Sequence, residues 1–230
     1  MHTIDDNLTK VTERIQQAAL AAQRNPQTVH LVAVSKTQSA AAIAQAHAWG
    51  QRRFGENYLQ EGLDKQARLA QLTDIEWHFI GPIQTNKTRA IAENFAWVHS
   101  IDREKIARRL SEQRPAHLPP LQVCLQVNID DEATKSGVSL AELPALAALV
   151  SQLPQIQLRG LMTIPAPTDS GTEQRATFAR LRQALANLQA QGIRGLDSLS
   201  MGMSADLEAA VVEGATLVRV GSDIFGARAR

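Results

Sequence analysis

Residues 30–50 read HLVAVSKTQSAAAIAQAHAWG. The first part, 30–35, is a short apolar and β-branched run, the composition of a buried strand. Residues 39–49 are rich in alanine and read as a helix that Gly50 closes. A strand, a short loop and a helix form the repeating unit of parallel α/β folds. The loop here is Ser35-Lys36-Thr37. It carries no G-x-G-x-x-G, so it lacks the glycines that bring a doubly wound sheet up against a pyrophosphate.

The same unit recurs in both directions along the chain. Strands are expected at 30–35, 52–55, 76–80, 95–99, 121–128, 156–164, 196–201 and 216–220. Helices are expected at 39–49, 56–70, 84–94, 102–113, 140–152, 172–191 and 205–213, with Pro144 tolerated in a first turn. A further helix precedes them over 5–23, with apolar Leu8, Val11, Ile15, Ala18 and Ala22 at helical spacing and Asp5 or Asp6 as its cap. An open doubly wound sheet can use this alternation. Eight repeats in 230 residues favour a closed (β/α)8 barrel of TIM type instead, a single α/β domain over 1–230 with the N-terminal helix plugging or flanking it. No Pro-, Gly- or Ser-rich linker divides the chain, and 165–171 is the loosest loop by composition.

Composition closes off several function classes. Lys and Arg number 24 against 23 Asp and Glu, so charge gives no case for nucleic acid or an anionic membrane as partner. The densest basic stretch, Arg103–Arg114, reads as the solvated face of a helix. The single cysteine, Cys124, lies in an apolar run and reads as a buried small hydrophobe, with no adjacent cation to make its thiol reactive. Residues 1–10 are polar and acidic, unlike a signal peptide, and no apolar run is long enough to cross a bilayer. A cytoplasmic location is expected. The histidines at 2, 30, 47, 78, 99 and 117 have no paired ligand spacing, which argues against a metal-dependent hydrolase. His78 and His99 remain candidates as site lining, the plainer role being that of hydrogen-bonded structural residues.

Barrel active sites lie at the C-terminal ends of the strands. Lys36 leaves the first strand there, and partial desolvation at a barrel mouth disfavours the ammonium and frees an amine for Schiff-base chemistry. By itself this is a lysine reaching solvent. The loops after strands 7 and 8 commonly hold a phosphate on backbone N–H groups. Here they are Gly202-Met203-Ser204 and Gly221-Ser222, with Ser200, Ser204 and Ser222 as hydroxyl donors and Ser204 also suited to cap the next helix. Arg219 ends strand 8 and needs either a ligand or a salt bridge across the barrel. Strands 1, 7 and 8 are neighbours in a closed barrel, so lysine and cradle together point to a phosphate-bearing carbonyl compound.

The strings LVAVSKTQ (31–38), FGENYLQE (54–61), EWHFIGPIQTNK (76–87), VHSID (98–102), KSGV (135–138), RGLMTIP (159–165), LSMGMSADLEAAV (199–211) and VRVGSDIFGAR (218–228) closely resemble the pyridoxal phosphate homeostasis proteins. These are small single-domain relatives of the alanine racemase barrel. The resemblance spans nearly the whole chain in order, and the combination of strings is specific. It implies a barrel that binds pyridoxal 5′-phosphate (PLP) as an internal aldimine on Lys36. It also implies that Ser200, Met203, Ser204, Gly221 and Ser222 surround the cofactor phosphate. Arg219 would face the pyridine nitrogen, with Asn57 and Met162 as neighbours of the site. Ser222 stands where the family has Thr or Ser.

Most PLP enzymes set a carboxylate against the pyridine nitrogen and so keep it protonated. An arginine disfavours the pyridinium and weakens the ring as an electron sink. Racemisation needs an acid and a base on opposite faces of the α-carbon. The resembling racemases take a tyrosine for this from a second domain, whereas this chain ends at Arg230, and its single tyrosine, Tyr58, reads as a packing residue. The expectation is therefore a monomeric PLP carrier of vitamin B6 homeostasis without strong catalytic activity, acting on amino- and keto-acid metabolism indirectly, with PLP-dependent apoenzymes as partners. The rivals are a PLP-dependent amino-acid racemase and a Schiff-base aldolase-type barrel. Lys87 and Lys135 fall in family-like strings as secondary amines or phosphate contacts, or simply as solvated lysines.

Overall fold

The structure, a computed structural model, describes residues 3–132 and 135–226. Helix α1 (Ile4–Ala21) precedes β1 (His30–Val34), α2 (Ala40–Trp49), β2 (Arg53–Glu56), α3 (Leu59–Arg68), β3 (Glu76–Phe79), α4 (Thr88–Asn94) and β4 (Trp97–Ile101). Then come α5 (Glu104–Gln113), β5 (Leu121–Gln126), α6 (Leu143–Val150), β6 (Ile156–Met162), α7 (Gly171–Ala190), β7 (Ser198–Ser200), α8 (Leu207–Val212), β8 (Leu217–Val220) and the one-turn α9 (Ser222–Phe225). The strands run in sequence order around a closed barrel, all pairs parallel, with β1 sealing against β8. The expected (β/α)8 barrel is thus present. Strand residues facing outward, such as Ala33, Phe54, Val98 and Val123, join helix residues such as Ile43, Ile91 and Leu110 in the main apolar core. A smaller cluster of Val32, Trp97, Cys124, Met162 and Leu217 fills part of the interior.

Several boundaries differ from the sequence reading, each for a physical reason. The α1 cap is Thr3, in a capping box with Asp6, instead of Asp5 or Asp6 alone. Strand β4 starts two residues later than expected, because Phe95 belongs to the turn before it. Arg114 donates to the carbonyls of Ala92 (2.6 Å) and Phe95 (2.7 Å), and from Nε to that of Pro119 (2.9 Å). This guanidinium is buried, which corrects the solvated-face reading at that residue: it stitches the ends of α4 and α5 together. His99 consequently lies in the middle of β4 and not at its end, and Ser100 lies within it. Glu56, expected to open a helix, is the buried last residue of β2. Helix α1 flanks the barrel, packing on α2, α8 and α9. Among the described residues no helix is long and apolar enough to cross a membrane.

At Gly160 the β5–β6 register shifts, and Cys124 pairs with the glycine. A Cβ there would stand 1.7 Å from the Ser198 carbonyl oxygen, a collision with backbone that no rotamer relieves. Gly160→Ala is expected to cost roughly 3 kcal/mol, or on the order of 10 °C in Tm. Gly171→Ala, where a Cβ meets nothing within 4 Å, should leave Tm almost unchanged in the same thermal melt. Equal melts for the two variants would contradict the close strand approach.

Candidate functional site

A cavity of about 320 Å³ opens among the loops at the C-terminal ends of β1, β2, β7 and β8. Lys36, Asn57, Met203, Ser204, Arg219, Gly221 and Ser222 all line it. The structure therefore brings together seven of the nine residues singled out from the sequence.

Lys36 is half-buried and held from both sides. On one side the Ser35 hydroxyl donates to Glu56 Oε1 (2.6 Å), while the Ser35 carbonyl accepts from Lys65 Nζ (2.6 Å). On the other side the Thr37 N–H donates to Glu61 Oε1, and Thr37 sits in the left-handed region at φ +65°. Lys65 Nζ closes the set with Glu56 Oε1 at 2.8 Å and Glu61 Oε1 at 2.5 Å. Burial pushes the Glu56 carboxyl above its ordinary value, against the hydrogen bonds from Lys65 and Ser35 that pull it down. Its second oxygen, Oε2, is buried without a partner. Sequence reading missed this clamp. The Glu61–Lys65 spacing is a visible i,i+4 pair, but Glu56 joins it only because β2 ends where it does.

Arg219 is 4% exposed and donates from Nη1 to Ser200 Oγ (2.6 Å) and from Nη2 to the Thr163 carbonyl (2.9 Å). No carboxylate lies within ion-pair distance of it among the described residues, which removes the cross-barrel salt bridge as its explanation. Burial brings the guanidinium down to about 10, with the Asp206 charge opposing the fall. A buried cation without a counter-charge at a cavity wall is costly unless something polar meets it.

Ser200 and Met162 lie behind the cavity wall. Both are fully buried and neither lines the cavity. Ser200 holds Arg219 from inside the barrel, and Met162 packs with Val32, Trp97, Cys124 and Leu217. Cys124 is the inert buried residue expected, its thiol pushed up to about 12 by burial.

The cradle is built by the loops after β7 and β8. Gly202 adopts φ +92°, and a Cβ there would lie 2.5 Å from that of Ala210. The cap of α8 is Asp206 and not Ser204, and Asp206 Oδ1 takes the Met203 N–H at 2.6 Å. That leaves the Ser204 hydroxyl to the cavity while its carbonyl accepts from Arg14 Nη2 (2.8 Å). Arg14, on α1, also binds Glu208 of α8 (2.7 Å) and Asp223 of α9 (2.7 Å), so one side chain braces both loops.

Other candidates fall outside the cavity. Tyr58 is 57% exposed at the start of α3, not packed as expected. Lys87 is exposed, and Lys135 pairs with Asp130 (3.1 Å) and Glu132 (3.0 Å). His78 and His99 are buried inside the barrel. No cluster of three or more metal-ligating side chains occurs among the described residues.

The donor set fits a flat, anionic carbonyl compound such as PLP. Lys36 supplies an amine and Arg219 a buried cation. Gly221 has no side chain, and a Cβ there would approach the Val34 carbonyl to 3.2 Å. Asn57 Oδ1 is buried without a partner and can accept from a ligand donor.

Residues 7–229 match the family described as alanine racemase, N-terminal domain. The chain is 64% identical over 228 residues to the pyridoxal phosphate homeostasis protein of Pseudomonas aeruginosa, covering 99% of this chain and 97% of that one. It is 52% identical over 230 residues to the Escherichia coli protein of the same name, at 99% and 98% coverage. Among solved structures, PipY of Synechococcus elongatus with PLP bound superposes with a TM-score of 0.82 at 43% identity, over 94% of this chain and 100% of that one. Alanine racemase of Corynebacterium glutamicum, at 20% identity, shares the fold alone, with a TM-score of 0.72 over 97% of this chain and 62% of that one. With near-complete coverage at such identity, and with the lysine, arginine and glycine-serine cradle of one cavity all in place, the chain belongs to the pyridoxal phosphate homeostasis protein family.

Proposed function

We propose that this chain binds PLP in the mouth cavity, with Lys36 as covalent anchor, and serves to hold and hand on the cofactor instead of using it in turnover. The observation that carries the reading is the meeting of Lys36, Arg219 and the Gly221-Ser222 turn in one cavity. Bound PLP supplies an aldehyde for the amine and a ring able to withdraw electrons. Arg219 limits the second property, because a guanidinium only donates and disfavours a protonated pyridine nitrogen. Among the described residues the cavity wall holds no titratable side chain besides Lys36 and Arg219. A racemase needs a second acid-base group across the substrate, and Tyr58, exposed outside the cavity, does not supply it.

The test is uptake followed by trapping. PLP added to the purified protein, reduced with borohydride and mapped by peptide mass spectrometry, should label Lys36. Label on Lys87 or Lys135, or none, would overturn the placement. The reading includes action as a monomer. Ile164 and Met203, partly exposed at the rim, offer apolar contact to a PLP-accepting apoenzyme.

Arg14 gives a second check on the cradle. Arg14→Ala should weaken PLP binding by roughly three- to tenfold, up to ~1.4 kcal/mol, through loosened loops alone. Arg14→Lys should restore little, since a point charge cannot span Glu208, Asp223 and the Ser204 carbonyl at once. Unchanged affinity in a titration of Arg14→Ala would show that α1 does not support the site.

A further inference from the structure

The layered interior of a (β/α)8 barrel is ordinarily filled by branched aliphatic side chains. Here a polar file crosses it. Arg219 Nη1 lies 2.6 Å from Ser200 Oγ, and Ser200 Oγ lies 2.7 Å from His99 Nδ1. His99 Nε2 lies 2.8 Å from His78 Nδ1, and His78 Nε2 lies 2.9 Å from Glu76 Oε1. Ser200, His99 and His78 are fully buried. Glu76 opens β3 at the opposite, N-terminal rim of the barrel, where its carboxylate also accepts from Arg53 Nε (3.0 Å). The His78 ring is stacked on Trp97 at 5.6 Å and 8°, which fixes its plane.

The hydrogens in this file are determined by its Glu76 end. An ionised carboxylate only accepts, so His78 donates to it from Nε2. A buried, neutral His78 then accepts at Nδ1 from His99 Nε2–H, and a buried, neutral His99 accepts at Nδ1 from the Ser200 hydroxyl. Ser200 Oγ in turn accepts from Arg219, which has donors and no acceptor. Each ring is thereby of the Nε2–H tautomer. The reverse direction fails at Glu76, whose carboxylate cannot donate. Burial lowers both imidazoles, His99 more so with His78 and Arg219 beside it, while the hydrogen bond from His78 holds the Glu76 carboxyl below its ordinary value.

We infer that Glu76, His78, His99 and Ser200 form a one-way hydrogen-bond chain that positions Arg219, fixing how its guanidinium meets whatever occupies the mouth cavity. Its effect on PLP rests on the reading that this cavity holds the cofactor; the chain itself does not. The four residues are positioning residues, acting from as far as the other rim of the barrel. A merely space-filling role predicts none of the spectroscopic behaviour below.

The experiment is nitrogen-15 NMR on the full-length protein without PLP, labelled at histidine and arginine. His78 and His99 should both show a protonated Nε2 and a bare Nδ1 at neutral pH. The Arg219 Nη signals should be resolved in the wild type. They should coalesce in Ser200→Ala and Glu76→Leu as the guanidinium begins to rotate, and stay resolved in Ser200→Thr, which keeps the hydroxyl. An Nδ1–H tautomer on either ring, or unchanged Arg219 signals in folded Ser200→Ala and His99→Phe, would overturn the inference. With PLP bound, Ser200→Ala and His99→Phe should displace the cofactor absorbance in the same direction and weaken binding several-fold, with Ser200→Thr near the wild type. If PLP is not taken up at all, the functional reading fails while the NMR result still decides the chain.

Discussion

Lys36→Ala is expected to give a folded, colourless protein whose PLP affinity falls by at least roughly a hundredfold, or ~2.7 kcal/mol. The amine is the group that can attach the cofactor aldehyde covalently; what remains is the cradle and Arg219, which bind the phosphate and ring without a bond. The fold should survive. Lys36 is half-buried two residues past the end of β1, and the hydrogen bonds of its neighbours Ser35 and Thr37 use a hydroxyl and backbone groups that the substitution leaves alone. Without ligand, the variant should lose no more than the ~1 kcal/mol of an ordinary point substitution. With PLP the two should part. A ligand at a hundred times its Kd stabilises the native state by about 2.7 kcal/mol, and the variant at the same concentration gains almost nothing. Absorbance and melting with and without PLP therefore separate loss of the anchor from loss of the fold. A variant that kept the visible-edge band and the ligand-dependent rise in Tm would place the anchor elsewhere.

The parts of this site that the sequence discloses are those that lie along one strand end. Lys36, Asn57, Arg219 and the Gly221-Ser222 turn each follow or end an apolar run, and the rule that barrel chemistry gathers at the C-terminal strand ends does the rest. The parts it hides are contacts between distant residues. Ser35 and Glu56 are 21 apart and His99 and Ser200 are 101 apart, so no spacing links them. Boundaries mattered as well. Moving β4 by two residues takes His99 from the mouth end of its strand to the middle, in the barrel interior, where it becomes a relay to Arg219 and not a wall of the cavity. Ser200 reads as a hydroxyl donor to the phosphate because it lies near the end of strand 7; in the structure it is buried and takes Arg219 instead, and Met162 of the paired β6 is buried beside it. At the α8 cap, Ser204 and Asp206 are both good capping residues by type. The choice falls to Asp206 because its carboxylate takes the Met203 N–H, a loop contact invisible in composition.

The largest loss of stability should come from Lys65→Met. Lys65 is 5% exposed, and its ammonium is the cation for Glu56, which is fully buried, and for Glu61. Removing it leaves a carboxyl in the core with no counter-charge and with Oε2 already lacking a partner. Breaking one side of a buried pair costs about 3–5 kcal/mol, which in a chain of this size is on the order of 10 °C in Tm. The pH dependence identifies the cause. Burial already raises the folded-state Glu56 carboxyl above its ordinary value. A raised acid favours the folded state below its unfolded value and loses that advantage as pH rises through the folded one. Without Lys65 the carboxyl rises further, so the deficit of Lys65→Met should be full at neutral pH and shrink as the pH falls and Glu56 takes up a proton. Adding Glu56→Leu should recover much of the loss at neutral pH, because an apolar pair of similar volume needs no solvation. PLP affinity should remain impaired in that double variant, since Ser35 keeps neither its carboxylate acceptor nor the ammonium on its carbonyl, and Lys36 is then less well placed. A deficit independent of pH, or a double variant no more stable than the single one, would mean that Lys65 contributes packing alone.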